Sequence, residues 1–205
     1  MALAHLPLVF QRVQLQGANM TPNEELMTRV VRICGPLWDA ISPPQHPTSS
    51  FPKSFIMALT AGETGAWLIH NADVPARTEQ SVYNHLLGVQ NGTEKNYGAI
   101  TQADLTGRSD LHDLASSWSL TQIMGYFCIP WKCQLSEIQN PATHYNWTLR
   151  LLDEFEHSFW LDPAKDFMEF ARCWNSGNPH GKTYDPNYAQ NVVDRMEAYQ
   201  SLGLS

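Results

Sequence analysis

Charge is scarce in this chain. Of 205 residues, 13 are Lys or Arg and 20 are Asp or Glu, a charged fraction of 16% and a formal net charge of −7. A basic face is missing, and with it the usual means of holding a nucleic-acid backbone, so no nucleic-acid partner is expected. The acidic balance also argues against long-range attraction to an anionic wall or membrane as the recognition strategy. No run of about 18 apolar residues occurs, so no membrane span is expected. Cysteine is sparse: Cys34, Cys128, Cys133 and Cys173 are too few and too scattered for a disulfide framework. The Cys128/Cys133 spacing permits a local disulfide or half of a metal site, and buried free thiols are the simpler expectation. Also missing are an HExxH run, paired CxxC or HxxxH spacings and a Gly-x-Ser-x-Gly elbow. Neither a zinc hydrolase, even with His70 near Asp73, nor a serine triad on an α/β sheet is therefore expected, and no metal or cofactor is called for. Residues 1–20 are mildly apolar but lack a charged n-region and a small-residue cleavage site, so they do not read as a signal peptide. There is no internal repeat and no low-complexity tract.

What is present is a globular composition, 43% hydrophobic, with 7 Trp, 7 Tyr and 8 Phe. The length suits one domain, or one domain with an extra N-terminal segment. Helix start signals recur. Thr21-Pro22, Asn140-Pro141, Asp162-Pro163 and Asp185-Pro186 each place a capping side chain before a proline suited to the first helical turn. Thr21 also has Glu24 three residues on, a capping box. Apolar residues at helical spacing follow each start: Leu26, Val30, Ile33 and Leu37; Trp147, Leu151 and Phe155; Phe167, Phe170 and Trp174, with Gly177 as a stop; Tyr188, Val192, Met196 and Tyr199. A proline-rich stretch, Ser42 to Pro47, precedes another helix beginning near Ser54. Thr78 to Val89 reads as helical, and Leu111 to Phe127 as one helix or two short ones. Asn96 to Thr101 is the only extended piece, one arm of a small hairpin. The expected fold is mainly α, around a single core.

Phe55, Leu59 and Glu63 recur at i, i+4 and i+8, which a helix places on one face beside Ile56. Glu63 then occupies a core-facing position. A carboxyl half-buried among apolar side chains resists ionisation. A carboxylic acid still protonated near neutral pH is what glycosidic cleavage requires, because the leaving oxygen must receive a proton. Gly62 and Gly65 flank it, costing helix stability while leaving space for a ligand close to the backbone. Periodicity alone equally allows Glu63 to end its helix facing water.

Ala58-Leu59-Thr60-Ala61-Gly62-Glu63-Thr64-Gly65 resembles the Glu-Ser-Gly motif of lytic transglycosylases of the soluble type and goose-type lysozymes. Ala115 to Gly125, reading ASSWSLTQIMG, resembles that family's Gly-Leu-Met-Gln-x-Met-like run, and Phe170 to Gly177, FARCWNSG, its Ala-Tyr-Asn-x-Gly motif. Tyr184 or Tyr188 stands where the family's final tyrosine falls. The motifs occur in family order and cover roughly Phe51 to Tyr199. The resemblance implies a lysozyme-like catalytic domain over 51–205, with 1–50 as an N-terminal segment and helix packing on it. It implies cleavage of peptidoglycan glycan strands, a cell-wall-facing location, and Glu63 as the general acid and then base. Gln122 and Met124 would line the groove, with Ser116 or Ser117 near the N-acetyl group. Trp174 and Asn175 would support the sugar or the acid, and Tyr184 or Tyr188 would close the site.

Three departures matter. Ser119 replaces the family's glycine, where it would crowd the groove. Trp174 replaces a tyrosine and loses a hydroxyl. The stretch between Glu63 and Gln122 is long, and it carries Asp73, Glu79, Glu94 and Asp104. A second carboxylate there would permit hydrolysis by water; without one, the substrate's N-acetyl group assists and a 1,6-anhydro product results. The resemblance favours the anhydro product. Two other readings are a non-catalytic glycan-binding module and a chitinase or chitosanase of the same superfamily.

Overall fold

The computed structural model describes residues 21–41, 51–69, 74 and 76–204. The segment 1–20, the stretch Ser42 to Pro47, and the His70 and Asp73 pair lie outside the described residues. In chain order the elements are α1 (Pro22–Ile41), α2 (Lys53–Ile69), β1 (Arg77–Thr78), α3 (Gln80–Gln90), β2 (Asn96–Tyr97), β3 (Ile100–Thr101), α4 (Gln102–Leu105) and α5 (Leu111–Leu114). Then follow β4 (Ser116–Trp118), β5 (Ile123–Met124), α6 (Cys128–Trp131), α7 (Leu135–Gln139), α8 (Pro141–Phe159), α9 (Phe167–Ser176) and α10 (Tyr188–Ser201). The protein is mainly helical, with two small antiparallel sheets. Its packing draws a boundary that the sequence pattern did not: one compact unit joins 1–73 to 149–205, and 74–148 forms another.

In the first unit α2 is the central helix. Every residue from Ser54 to Thr60 is fully buried, as suits a helix that is apolar on nearly all sides. The two threonines that interrupt it, Thr60 and Thr64, donate their hydroxyls to the carbonyls of Ile56 and Thr60 one turn back. Helices α1 and α10 pack on α2, and α9 packs on α10. The capping box that opens α1 is formed: the Thr21 amide donates to the Glu24 carboxylate at 2.8 Å, and the Glu24 amide donates to Thr21 Oγ1 at 3.3 Å. Gly177 closes α9 in the left-handed region, at φ 73°.

Three local expectations are corrected here. Gly65 does not open space for a ligand; it lets α1 approach, whereas Gly62 is exposed and lies at ordinary contact distance from α10. A Cβ on Gly62 would touch Tyr188, Val192 and Arg195 of α10 at 3.7–3.8 Å, and one on Gly65 would come within 2.5 Å of Leu26 of α1. Asp162-Pro163 and Asp185-Pro186 do not begin helices. Each aspartate instead accepts from the amide two residues on, Ala164 and Asn187, both at 2.9 Å, making a turn before helices that start only at Phe167 and Tyr188.

The second unit gathers its own core from Leu86, Val89, Ile100, Leu105, Leu111, Leu114, Ile123 and Ile138, all at most 5% exposed. Asn96 to Thr101 is not one arm of a hairpin but both: β2 and β3 pair across Gly98, with Asn96 opposite Thr101 and Tyr97 opposite Ile100. The helix read over Thr78 to Val89 is α3, and Thr78 itself belongs to β1. Leu111 to Phe127 is not helical throughout. Only α5 is an α-helix; the chain then forms β4 and β5, the centre and one edge of a three-stranded antiparallel sheet ordered β1-β4-β5. The reason is the turn between them, where Ser119 and Gln122 both take left-handed backbone angles, φ 59° and 58°. No helix continues through two such residues.

Candidate functional site

In the first unit, the half-buried Glu63 lies on α2 beyond the apolar pair Phe55 and Leu59. Tyr188, the first residue of α10, donates its hydroxyl to Glu63 Oε1 in a short hydrogen bond. Burial pushes the Tyr188 phenol well above its ordinary range; the Glu63 carboxyl and the bond to it push the same way, and Arg195 opposes them. Tyr188 is therefore a fixed donor rather than a titrating group. The Arg195 guanidinium lies beside Gly62 and makes no ion pair within 4 Å among the described residues. Of the two tyrosines left open by the sequence, Tyr188 reaches the glutamate, while the side chain of Tyr184 is fully exposed. Asn175 accepts from the Tyr184 amide at 3.1 Å, tying α9 to the loop before α10. Trp174 is half-buried and meets Phe155 edge-on, with ring centres 6.4 Å apart.

In the second unit the other family positions gather on β4, β5 and their turn. Ser117 Oγ donates to Gln122 Oε1 at 2.8 Å, and Gln122 Nε2 donates to the Ser119 carbonyl at 2.9 Å. Gln122 is thus held across its own turn, with one amide proton and further acceptor capacity uncommitted. Met124 pairs in register with Ser117 and is half-buried. Ser116 is more fully engaged: its hydroxyl donates to the His112 carbonyl at 2.7 Å and lies 2.8 Å from Thr78 Oγ1. Gly125 ends the run because a side chain would not fit, a Cβ there falling 2.3 Å from the Asp113 carbonyl oxygen. Ser119 is buried, and its hydroxyl has no hydrogen-bond partner.

No family model, curated protein or solved structure matches the chain. The chemistry must be read from its residues alone. Glu79, Glu94 and Asp104 of the long stretch have local partners, while no hydrogen bond or ion pair engages the Asp113 carboxyl among the described residues. Glu79 pairs with Arg77 at 2.7 Å, Glu94 with His85 at 2.9 Å, and Asp104 accepts from the Thr101 amide and hydroxyl at 2.8 and 2.6 Å. Among the described residues no three His, Cys, Asp or Glu side chains gather as a metal site, and none of Cys34, Cys128, Cys133 and Cys173 is in a disulfide. Burial raises the Cys128 thiol above its usual range and pushes Cys173 up to about 12, so neither is a ready nucleophile.

Two residues that sequence reasoning passed over belong to this picture. Arg195 lies two turns beyond Tyr188 on α10, at a helical spacing that could have flagged it. His144 had no such signal. It is fully buried at the start of α8, and its ring bonds to Thr121, the residue before Gln122.

Proposed function

We propose that the chain is a lysozyme-like enzyme that cleaves the β-1,4 glycosidic bond of peptidoglycan strands, with Glu63 as its one acid–base group. The observation that carries this reading is the bond between Tyr188 and Glu63. They lie 125 positions apart and are the last and first motif residues of the family resemblance. An isolated surface glutamate needs no phenol locked onto one of its oxygens.

The geometry suits proton transfer. Because Oε1 accepts from Tyr188, the acid proton belongs on Oε2, and the carboxyl is held in one orientation. In the first step Oε2 gives its proton to the glycosidic oxygen as the C1–O bond breaks. The N-acetyl carbonyl oxygen of the same sugar bonds to C1 and spreads the developing positive charge. Glu63, now a carboxylate, takes the proton from the sugar's 6-hydroxyl as that oxygen displaces the acetamido oxygen from C1. The product is a 1,6-anhydro end. The family resemblance is what favours this route over one needing a second carboxylate.

The test is mass spectrometry of purified peptidoglycan digested by the wild type and by Glu63→Gln, a change that keeps shape and removes the proton. Wild type should release anhydro-ended muropeptides, and the variant should lose about a thousandfold or more in rate. Reducing ends would replace the anhydro route by hydrolysis. If both proteins sediment with walls and release nothing, the chain is a glycan-binding module instead. Selective cleavage of chitin or chitosan would move it to that substrate class.

A further inference from the structure

We propose that His144 is a positioning residue for Gln122: its buried ring clamps the β4–β5 turn in the shape that presents the Gln122 amide. This rests on the reading of Gln122 as a glycan contact. The geometry fixes the tautomer. His144 Nδ1 lies 2.8 Å from the Ile138 carbonyl oxygen, which can only accept, so Nδ1 carries the proton and Nε2 is bare. Nε2 then accepts from the Thr121 amide at 3.1 Å and faces the Thr121 hydroxyl at 2.8 Å. Thr121 Oγ1 in turn lies 2.9 Å from Thr148 Oγ1, one helical turn beyond His144 on α8. The Thr148 hydroxyl also donates to the His144 carbonyl at 3.3 Å, so Thr148, Thr121, His144 and Ile138 form one hydrogen-bonded network.

Beyond the Gln122 side-chain bonds to Ser117 and Ser119, the turn has little of its own to hold it. Its own closing bond, from the Gln122 amide to the Ser119 carbonyl, is long at 3.3 Å, and two of its residues sit at left-handed angles without being glycine. An ordinary core histidine would need partners, but not partners concentrated on the residue next to a proposed ligand contact. A neutral His144 is also what its surroundings enforce, since burial holds its pKa down to about 4 against the opposing bond from Ile138.

The experiment uses the whole chain and four variants: His144→Gln, Thr121→Val, Gln122→Ala and the His144→Gln/Gln122→Ala double variant. Hydrogen exchange read by mass spectrometry should show faster exchange in His144→Gln confined to peptides covering 116–124, with those from α3 and α4 unchanged. Thr121→Val, which keeps the amide and loses the hydroxyl, should show a smaller effect at the same place. For muropeptide release, His144→Gln should lower kcat/KM about tenfold when Gln122 is present and far less when it is alanine. Exchange rising evenly over 74–148, or the same loss of kcat/KM with and without Gln122, would overturn the proposal. If the wild type releases no muropeptide, the catalytic reading falls, and the exchange result still decides whether His144 holds the turn.

Discussion

Ser119 combines two costs at one position. Its backbone lies at φ 59°, where a side chain crowds the following carbonyl, an expense of about 1 kcal/mol for a residue other than glycine. Its hydroxyl is buried without a hydrogen-bond partner, worth at least about 1 kcal/mol more. Against these stands the extra freedom glycine gives the unfolded chain, about 0.5–1 kcal/mol. Ser119→Gly should therefore stabilise the protein by about 1–1.5 kcal/mol, raising the melting temperature by about 2–5 °C for a chain of this size. Circular-dichroism melts and urea titrations measure this, with an unchanged m value showing that compactness is not what altered. Ser119→Ala separates the causes: it removes the hydroxyl but keeps Cβ at the same φ, so it should recover only part of the gain. A lower melting temperature for the glycine variant would refute the reasoning outright. Equal gains from alanine and glycine would show that the strain only matches glycine's extra unfolded-chain freedom, about 0.5–1 kcal/mol.

Other outcomes follow from the same geometry. Gly62→Ala and Gly65→Ala should move stability in opposite directions by about 1 kcal/mol: the first adds helix propensity at ordinary contact distance, while the second drives a methyl into Leu26. Denaturant titration measures both, and equal signs would contradict the packing. His144, held near 4 in the folded protein against 6.5 when free, should make stability fall as pH drops from about 6.5 to 4. Below 6.5 the unfolded chain binds a proton that the folded one refuses, costing about 3 kcal/mol by pH 4 and nothing above neutrality. The stability–pH curve of His144→Gln should be flatter by that amount over that window. Tyr188→Phe removes the donor to Glu63 Oε1, so the alkaline limb of the pH–rate profile should move to higher pH and kcat should fall about tenfold. An unmoved limb would mean the phenol only packs.

How far the sequence could be read depended on whether a feature was local. The capping box at Thr21 and Glu24, the stop at Gly177 and the buried face of α10 are set by residues within a turn or two of one another, and periodicity found them. The choice between Tyr184 and Tyr188 stayed open in the sequence, because it depends on which of them reaches Glu63, 125 positions from Tyr188. Errors arose where one local signal serves two structures. Asp162 and Asp185 have the chemistry of helix caps, but the same carboxylate accepts two residues on in a turn. Ser119 and Gln122 look helix-compatible, and only the three-dimensional turn shows them left-handed. Gly62 and Gly65 announce that something approaches the backbone without saying whether it is a ligand or a helix. His144 was invisible because its partners, Ile138, Thr121 and Thr148, come from three separate elements of the second unit.

The division of the chain has a consequence for how it is made. The first unit is assembled from 1–73 and 149–205, with 74–148 lying between them in sequence. On a ribosome the intervening unit emerges whole and can close its short-range contacts first. The central helix α2, apolar on nearly every side, emerges earlier still, with α1 to pack on but without α10 until residues 188–201 are made. Until then α2 is the exposed, adhesive part of the nascent protein, and Glu63 has no Tyr188. A chain stalled or cut before Tyr188 keeps Glu63 but lacks the hydroxyl that donates to its Oε1, so on the proposed reading it holds the acid without the donor that aims it.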